Sequence, residues 1–143
     1  MQEYAKKIEI RWADLDPNFH VLHSKYYDFG GYCRMMFLTQ HGITPAVMIE
    51  KNIAPVIFKE TCLFKREIKF EDELWVFLKL SRCNADASRW SMVHELWING
   101  DTLAAEITID GAWMDTKLRK LAIPPNSYKL GINHMPKTND FNA

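Results

Sequence analysis

The pair Asn99-Gly100, and the two apolar alternations that it joins, constrain this chain more than any other feature. Before it, Trp90, Met92, His94, Leu96 and Ile98 recur at every second position; after it, Leu103, Ala105, Ile107, Ile109, Gly111 and Trp113 do the same. Period two is the signature of a strand with one buried face. Asn-Gly supplies the two left-handed residues that a tight turn needs, so the spacing predicts a long antiparallel hairpin. The other face of its second strand, Ala104, Glu106, Thr108, Asp110, Ala112 and Met114, reads as more solvated. A sheet with one apolar face needs a cover.

The cover is a helix expected from about Ser24 to His41. Ser24 suits an N-cap, Asp28 suits the first turn, and Gly42 suits the C-terminal stop. Tyr26, Phe29, Cys33, Met36 and Phe37 fall at helical spacing within it. Gly30 and Gly31 interrupt it at ~1 kcal/mol each relative to Ala, which predicts close approach of another backbone. Thr44-Pro45 opens a second, short helix ending before Asn52. Ile8, Ile10 and Trp12 alternate as a first strand, and Val56 to Phe64 and Leu74 to Leu80 read as further strands. The expected class is α+β, a curved antiparallel sheet wrapped around one long helix. One helix leaves the outer face and a free edge uncovered, so a homodimer or homotetramer is expected. Pro124-Pro125 closes the domain, residues 1–125, and residues 126–143 read as a polar, poorly ordered tail.

Composition excludes several functions. Eighteen basic residues balance eighteen acidic ones, which offers nothing to attract nucleic acid or an anionic membrane. No apolar run approaches ~18 residues and the N-terminus has no apolar leader, so a cytoplasmic location is expected. Cys33, Cys62 and Cys83 have neither disulfide-framework nor zinc-ligand spacing and read as reduced core residues. The histidines lack metal-site spacing, so no metal is expected. Gly30-Gly31 lies inside a helix rather than before one and is no phosphate loop. An aromatic content of 13% suits a β-rich core or an apolar ligand pocket.

The chemistry concentrates in the loop before the long helix, Arg11 to Tyr26, which holds Asp14, Asp16, His20 and His23. A carboxylate there can act as nucleophile or general base, and free helix N–H groups can stabilise an oxyanion. Those are the parts acyl transfer requires. The competing reading is that both aspartates only cap the loop and both histidines are helix-end side chains.

The run R-x-x-D-x-D-x-x-x-H-V from Arg11 to Val21, followed by a helix near Tyr26, resembles the 4-hydroxybenzoyl-CoA thioesterase-like branch of the hot-dog fold. It also resembles the small acyl-CoA thioesterases associated with the Tol–Pal system. The similarity continues through Gly42-Ile43, Phe70 to Leu74 and Lys120 to Pro124. This resemblance implies an acyl-CoA thioesterase with Asp16 as the catalytic carboxylate. It implies that His23 supplies a backbone N–H to the thioester oxygen and an imidazole important for activity. Trp12 stands where the Tol–Pal-type enzymes carry a functional Tyr, Phe19 where a Gly precedes H-V, and Leu22 where an Asn follows it. These departures bear on acyl preference rather than on reaction class. The resemblance also implies an acyl-CoA or acyl carrier protein thioester as the substrate, with no cofactor required. Arg89 and Arg119 are candidates for the phosphates of CoA, Tyr26 for the pocket wall, and Glu60 for a pocket residue contributed by a partner subunit. A solvated strand end explains either arginine equally well, and an exposed edge or bulge explains Glu60. Two alternatives are a hydratase or dehydratase on the same fold, faintly suggested by Asp14 to His20, and a non-catalytic acyl-CoA-binding module.

Overall fold

The computed structural model describes residues 3–142. Five strands lie side by side in the order β1 (Ala5–Ile8), β3 (Leu74–Cys83), β4 (Arg89–Ile98), β5 (Thr102–Asp115), β2 (Ile53–Phe64). All neighbouring pairs in that order are antiparallel. Two short strands complete the sheet: β6 (Lys120–Leu121) pairs with β5, and β7 (Lys137–Asn142) runs parallel to β3. The helix α1 (Lys25–Gln40) fills the concave side, and α2 (Pro45–Lys51) leads into β2. The expected helix-in-sheet arrangement is thus observed.

Local chemistry accounts for the elements. Asn99 and Gly100 adopt φ of 57° and 77°, the turn their side chains permit. Trp90, Met92, His94, Leu96 and Ile98 are all buried on the concave face. Thr44 caps α2, its Oγ1 accepting from the Val47 N–H at 3.1 Å, and Asn52 ends it in the left-handed region. No helix of the described residues is long and apolar enough to cross a membrane.

Four expectations are corrected. The first strand stops at Ile8, because its partner β3 begins at Leu74, directly opposite. Trp12 instead sits in a single 3-10 turn (Trp12–Asp14) and is 72% exposed. In β5, Ala104 and Ala112 are buried despite lying on the face read as solvated. A register shift after Leu96 and the Lys65 and Arg66 N–H groups bonded to the Ala104 carbonyl account for the first. Gly30 meets a side chain rather than a backbone, since a Cβ built there would lie 2.9 Å from His94 Cδ2.

The expected loose tail is the largest difference. Residues 126–142 form α3 (Asn126–Asn133) and β7, and Tyr128, Ile132 and Met135 are fully buried. The polar composition hid three apolar residues, Tyr128 and Ile132 one turn apart in α3 and Met135 just after it. Tyr128 packs edge-on against Trp113, with centroids 4.9 Å apart, and its hydroxyl donates to the Ile53 carbonyl at 3.1 Å. Replacing Tyr128 with Ala should cost about 3–5 kcal/mol, the usual loss for a buried aromatic. Urea unfolding measures it, and a loss below about 1 kcal/mol would show that α3 does not belong to the core.

Candidate active site

The loop from Arg11 to Ser24 is tied down at both ends. Asp14 is buried and its carboxylate accepts the Arg11 backbone N–H at 2.9 Å and the Arg11 guanidinium at 2.9 Å. Burial alone would push that carboxyl up, but the Arg11 hydrogen bonds and charge outweigh it and hold the group below its ordinary value. Further on, the Val21 N–H donates to the Ile68 carbonyl and the Leu22 N–H to the Asp14 carbonyl, both at 2.8 Å. The loop is thereby pressed against residues 65–69, which follow β2.

Asp16 is oriented by its own turn. Its Oδ1 accepts the Asn18 and His20 backbone N–H groups at 2.9 and 3.2 Å. Among the described residues nothing donates to Oδ2. Within that turn Phe19 has φ of 66°, a left-handed conformation that costs any residue but glycine. The Gly-to-Phe departure therefore falls where the backbone would prefer Gly, and it places an exposed ring against Trp12, 6.1 Å between centroids.

His23 is exposed and stands two residues before the first residue of α1. Neither its backbone N–H nor that of Ser24 donates to an acceptor among the described residues. These are the unpaired donors that a helix start presents to an anion. Asp16, His23 and Tyr26 line one cleft with His20, Phe64 and Arg66. Tyr26 is buried, edge-on to Phe64 at 4.9 Å, and burial pushes its phenol up to about 12, so it stays protonated. His20 Nε2 lies 3.0 Å from Glu67 Oε2 on the cleft wall.

The other sequence candidates lie elsewhere. Trp12 lines an adjacent groove with Phe19 and Phe70. Arg89 lies over the Phe58 ring at 5.8 Å, and Arg119 occupies an exposed turn between β5 and β6 at φ 58°. Ile53 pairs with Asp115 and Phe64 with Ala105, so Arg119 sits at the far end of β2 from the cleft. Eleven residues of strand separate the two ends, about 36 Å of chain. Glu60 projects toward α1, its Oε2 3.8 Å from Arg34 Nη1.

Two residues escaped the sequence reading, Arg34 and His94. His94 is fully buried, its Nδ1 3.0 Å from the Phe77 carbonyl and its Nε2 2.9 Å from Arg34 Nη1. The ring must carry its proton on Nδ1, donate to Phe77 and accept from Arg34. The available signal was a histidine on the buried face of β4 and an arginine between Cys33 and Met35 in the helix. No group of three or more His, Cys, Asp or Glu among the described residues is placed to hold a metal ion.

Residues 10–130 match the model of the thioesterase-like superfamily. No curated protein sequence matches the chain significantly. Among solved structures, a hypothetical protein of Staphylococcus aureus in complex with CoA superposes with a TM-score of 0.87 at 18% identity, over 96% of this chain and 87% of that one. A 1,4-dihydroxy-2-naphthoyl-CoA thioesterase from Synechocystis gives 0.82 at 16% identity, over 93% and 97%. A Thermus thermophilus thioesterase complexed with coenzyme A and Zn gives 0.75 at 22% identity, over 90% of each chain. These likenesses, with the observed sheet and helix, show the hot-dog fold.

His94 makes a pH prediction. In the unfolded chain its imidazole takes a proton near pH 6.5. In the folded protein, burial and then the Arg34 cation push it down to about 3. Stability is therefore full above pH ~6.5 and falls as the pH drops toward 3, by up to about 1.4 kcal/mol per pH unit. Urea melts between neutral and mildly acid pH should show a shallower slope for His94→Gln than for the parent. Identical slopes would mean that the imidazole is charged in the fold.

Proposed function

The chain belongs to the thioesterase-like superfamily, and from that premise we propose that it hydrolyses an acyl-CoA thioester to the free acid and CoA. The observation that carries this reading is the cleft itself. A carboxylate held through one oxygen, with no donor to the other among the described residues, lines the same cleft as His23, where the helix start carries two N–H groups without an acceptor among those residues. Asp16 Oδ2 attacks the thioester carbonyl or takes a proton from the attacking water. The carbonyl oxygen, gaining negative charge, is received by the N–H groups at His23 and Ser24 and by the positive end of α1. The C–S bond then breaks and the sulfur leaves as the thiolate of CoA; where Asp16 itself has attacked, water hydrolyses the resulting anhydride to the free acid and restores the carboxylate. In this reading the His23 side chain, on the same cleft, orients the water.

The reading extends to a homodimer. β2 is a twelve-residue edge strand without a partner on its outer side among the described residues, and Ile57, Phe58, Leu63 and Phe64 along it are about half-exposed. A long apolar edge of this kind invites pairing with a second chain. Antiparallel pairing about a two-fold axis brings the cleft end of one β2 against the other copy's Ile53 end. Arg89 and Arg119 then become available to the phosphates of a CoA bound in the partner's cleft. This arrangement accounts for their distance from Asp16 within one chain. Sedimentation should give a dimer or larger, and a stable, active species of 16.8 kDa would overturn the shared site.

The two aspartates separate the catalytic reading from the structural one. Asp16→Asn keeps an Oδ1 that can accept from Asn18 and His20, so the fold should persist while kcat for thiol release drops at least ~100-fold. Asp14→Asn should behave oppositely, losing about 1–3 kcal/mol of stability with its charged Arg11 bonds and keeping most of its turnover. Equal loss of activity in both variants would remove Asp16 from its role. Thiol release also excludes the hydratase alternative, which frees no CoA.

A further inference from the structure

A cavity of about 260 Å³ lies between the second half of α1 and the sheet, apart from the cleft. Its walls include Met35, Pro55, Ile57, Trp90 and Trp113, with one charged side chain, Arg34. The polar groups around it are unevenly matched. Arg34 spends Nη1 on His94 at 2.9 Å, while its Nε and Nη2 bond nothing among the described residues. Trp90 and Trp113 are 3% and 1% exposed, and both indole N–H groups lack an acceptor. A buried donor left unpaired is costly, and Trp90 and Trp113 both line the cavity, so an occupant that brings an acceptor oxygen is favoured there.

The charge on that oxygen follows from Glu60. Its carboxylate, 24% exposed, already lies 3.8 Å from Arg34, so the pair is close to neutral. A second carboxylate would add an uncompensated charge to an apolar enclosure, whereas an uncharged oxygen would not. Glu60 Oε2 is itself buried without a hydrogen-bond donor. A hydroxyl can therefore accept from Arg34 and donate to Glu60, and a keto oxygen can only accept.

We propose that this cavity receives the acyl group, and that Arg34 selects acyl chains bearing an uncharged oxygen, hydroxyl before keto, at a distance from the thioester. The spacing along α1 agrees, since Tyr26 in the cleft and Arg34 at the cavity are eight residues apart, about 12 Å of helix. His94 is a positioning residue here. Its Nδ1–H is held by Phe77, so Nε2 faces Arg34 as an acceptor and fixes the guanidinium. Gly30 leaves the room the imidazole needs.

This inference rests on the thioesterase reading for its substrate, so its test is made on binding. Non-hydrolysable thioether analogues of acyl-CoA, in which a methylene separates the sulfur from a medium-chain alkanoyl group, its ω-hydroxy form or its ω-carboxy form, are titrated calorimetrically into the full chain. The hydroxy analogue should bind at least about tenfold tighter than the alkanoyl one, as expected for a hydrogen bond to a charged donor. The carboxy analogue should bind more weakly than the hydroxy one. In Arg34→Met combined with Glu60→Gln, which removes both charges together, the tenfold ratio should fall toward one. Should that variant fail to fold, Trp90→Phe, which removes one N–H, should narrow the ratio several-fold. Equal affinity for all three analogues, or no binding of any, overturns the proposal. An equal loss for all three in the double variant also overturns it, because Arg34 would then hold the carrier arm common to them. Thiol release from the matching true thioesters is measured separately. A hydroxy preference without turnover supports the acyl site while removing the hydrolase reading.

Discussion

The fold turns on the contact where α1 crosses the sheet at Gly30. With no Cβ there, the helix settles onto the His94 ring, which a methyl group would meet at 2.9 Å. That imidazole is anchored below by the Phe77 carbonyl and receives the Arg34 guanidinium from the next turn of the helix. The cost of Gly30 in a helix is thus offset by a close approach and a satisfied polar pair in the core. The depth at which α1 lies then decides two other things. Its first turn meets the loop that carries Asp16, and its second half walls the apolar cavity.

Two aspartates two residues apart end in opposite environments for the same reason. Asp14 closes a 3-10 turn, is buried, and is neutralised by an arginine. Asp16 lies past the bend, where Leu15 and Val21 pair across the loop and hold it open. Its turn is tight enough to put Phe19 at positive φ, a strain that the surrounding backbone hydrogen bonds sustain. A rigid frame around one half-free carboxylate oxygen suits a reacting group, whereas a carboxylate with both oxygens bonded suits a strut.

Much of this was legible from residue order. Asn99-Gly100 and its flanking alternation specify a hairpin because turn chemistry and period two are local properties. Thr44 and Gly42 mark helix ends for equally local reasons, whereas Ser24 stands before α1 without the expected side-chain cap, and the observed ends lie within a residue or two. The expectation for residues 126–142 failed because Tyr128, Ile132 and Met135 are too few and too spread to register as a periodic stripe. Only the pocket beside Trp113 and Ile53 makes them core. Trp12 failed for a related reason, since strand periodicity continues past Ile8 but the neighbouring strand does not.

Sequence by itself determined the element order through β5, the helix-covered antiparallel class, and the loop in which a carboxylate, a histidine and a helix start come together. These depend on spacing over a few residues, which a one-dimensional string preserves. Tertiary structure alone decided that Asp14 is buried and Asp16 presented, and that Tyr26 but not Trp12 shares the cleft. It also decided that Arg89 and Arg119 lie a strand's length away, and that Arg34, Glu60 and His94 meet beside an apolar cavity. Those three come from α1, β2 and β4, 26 to 60 residues apart in the chain. Their meeting is set by the curvature of the sheet and the depth of the helix, neither of which has a local signature.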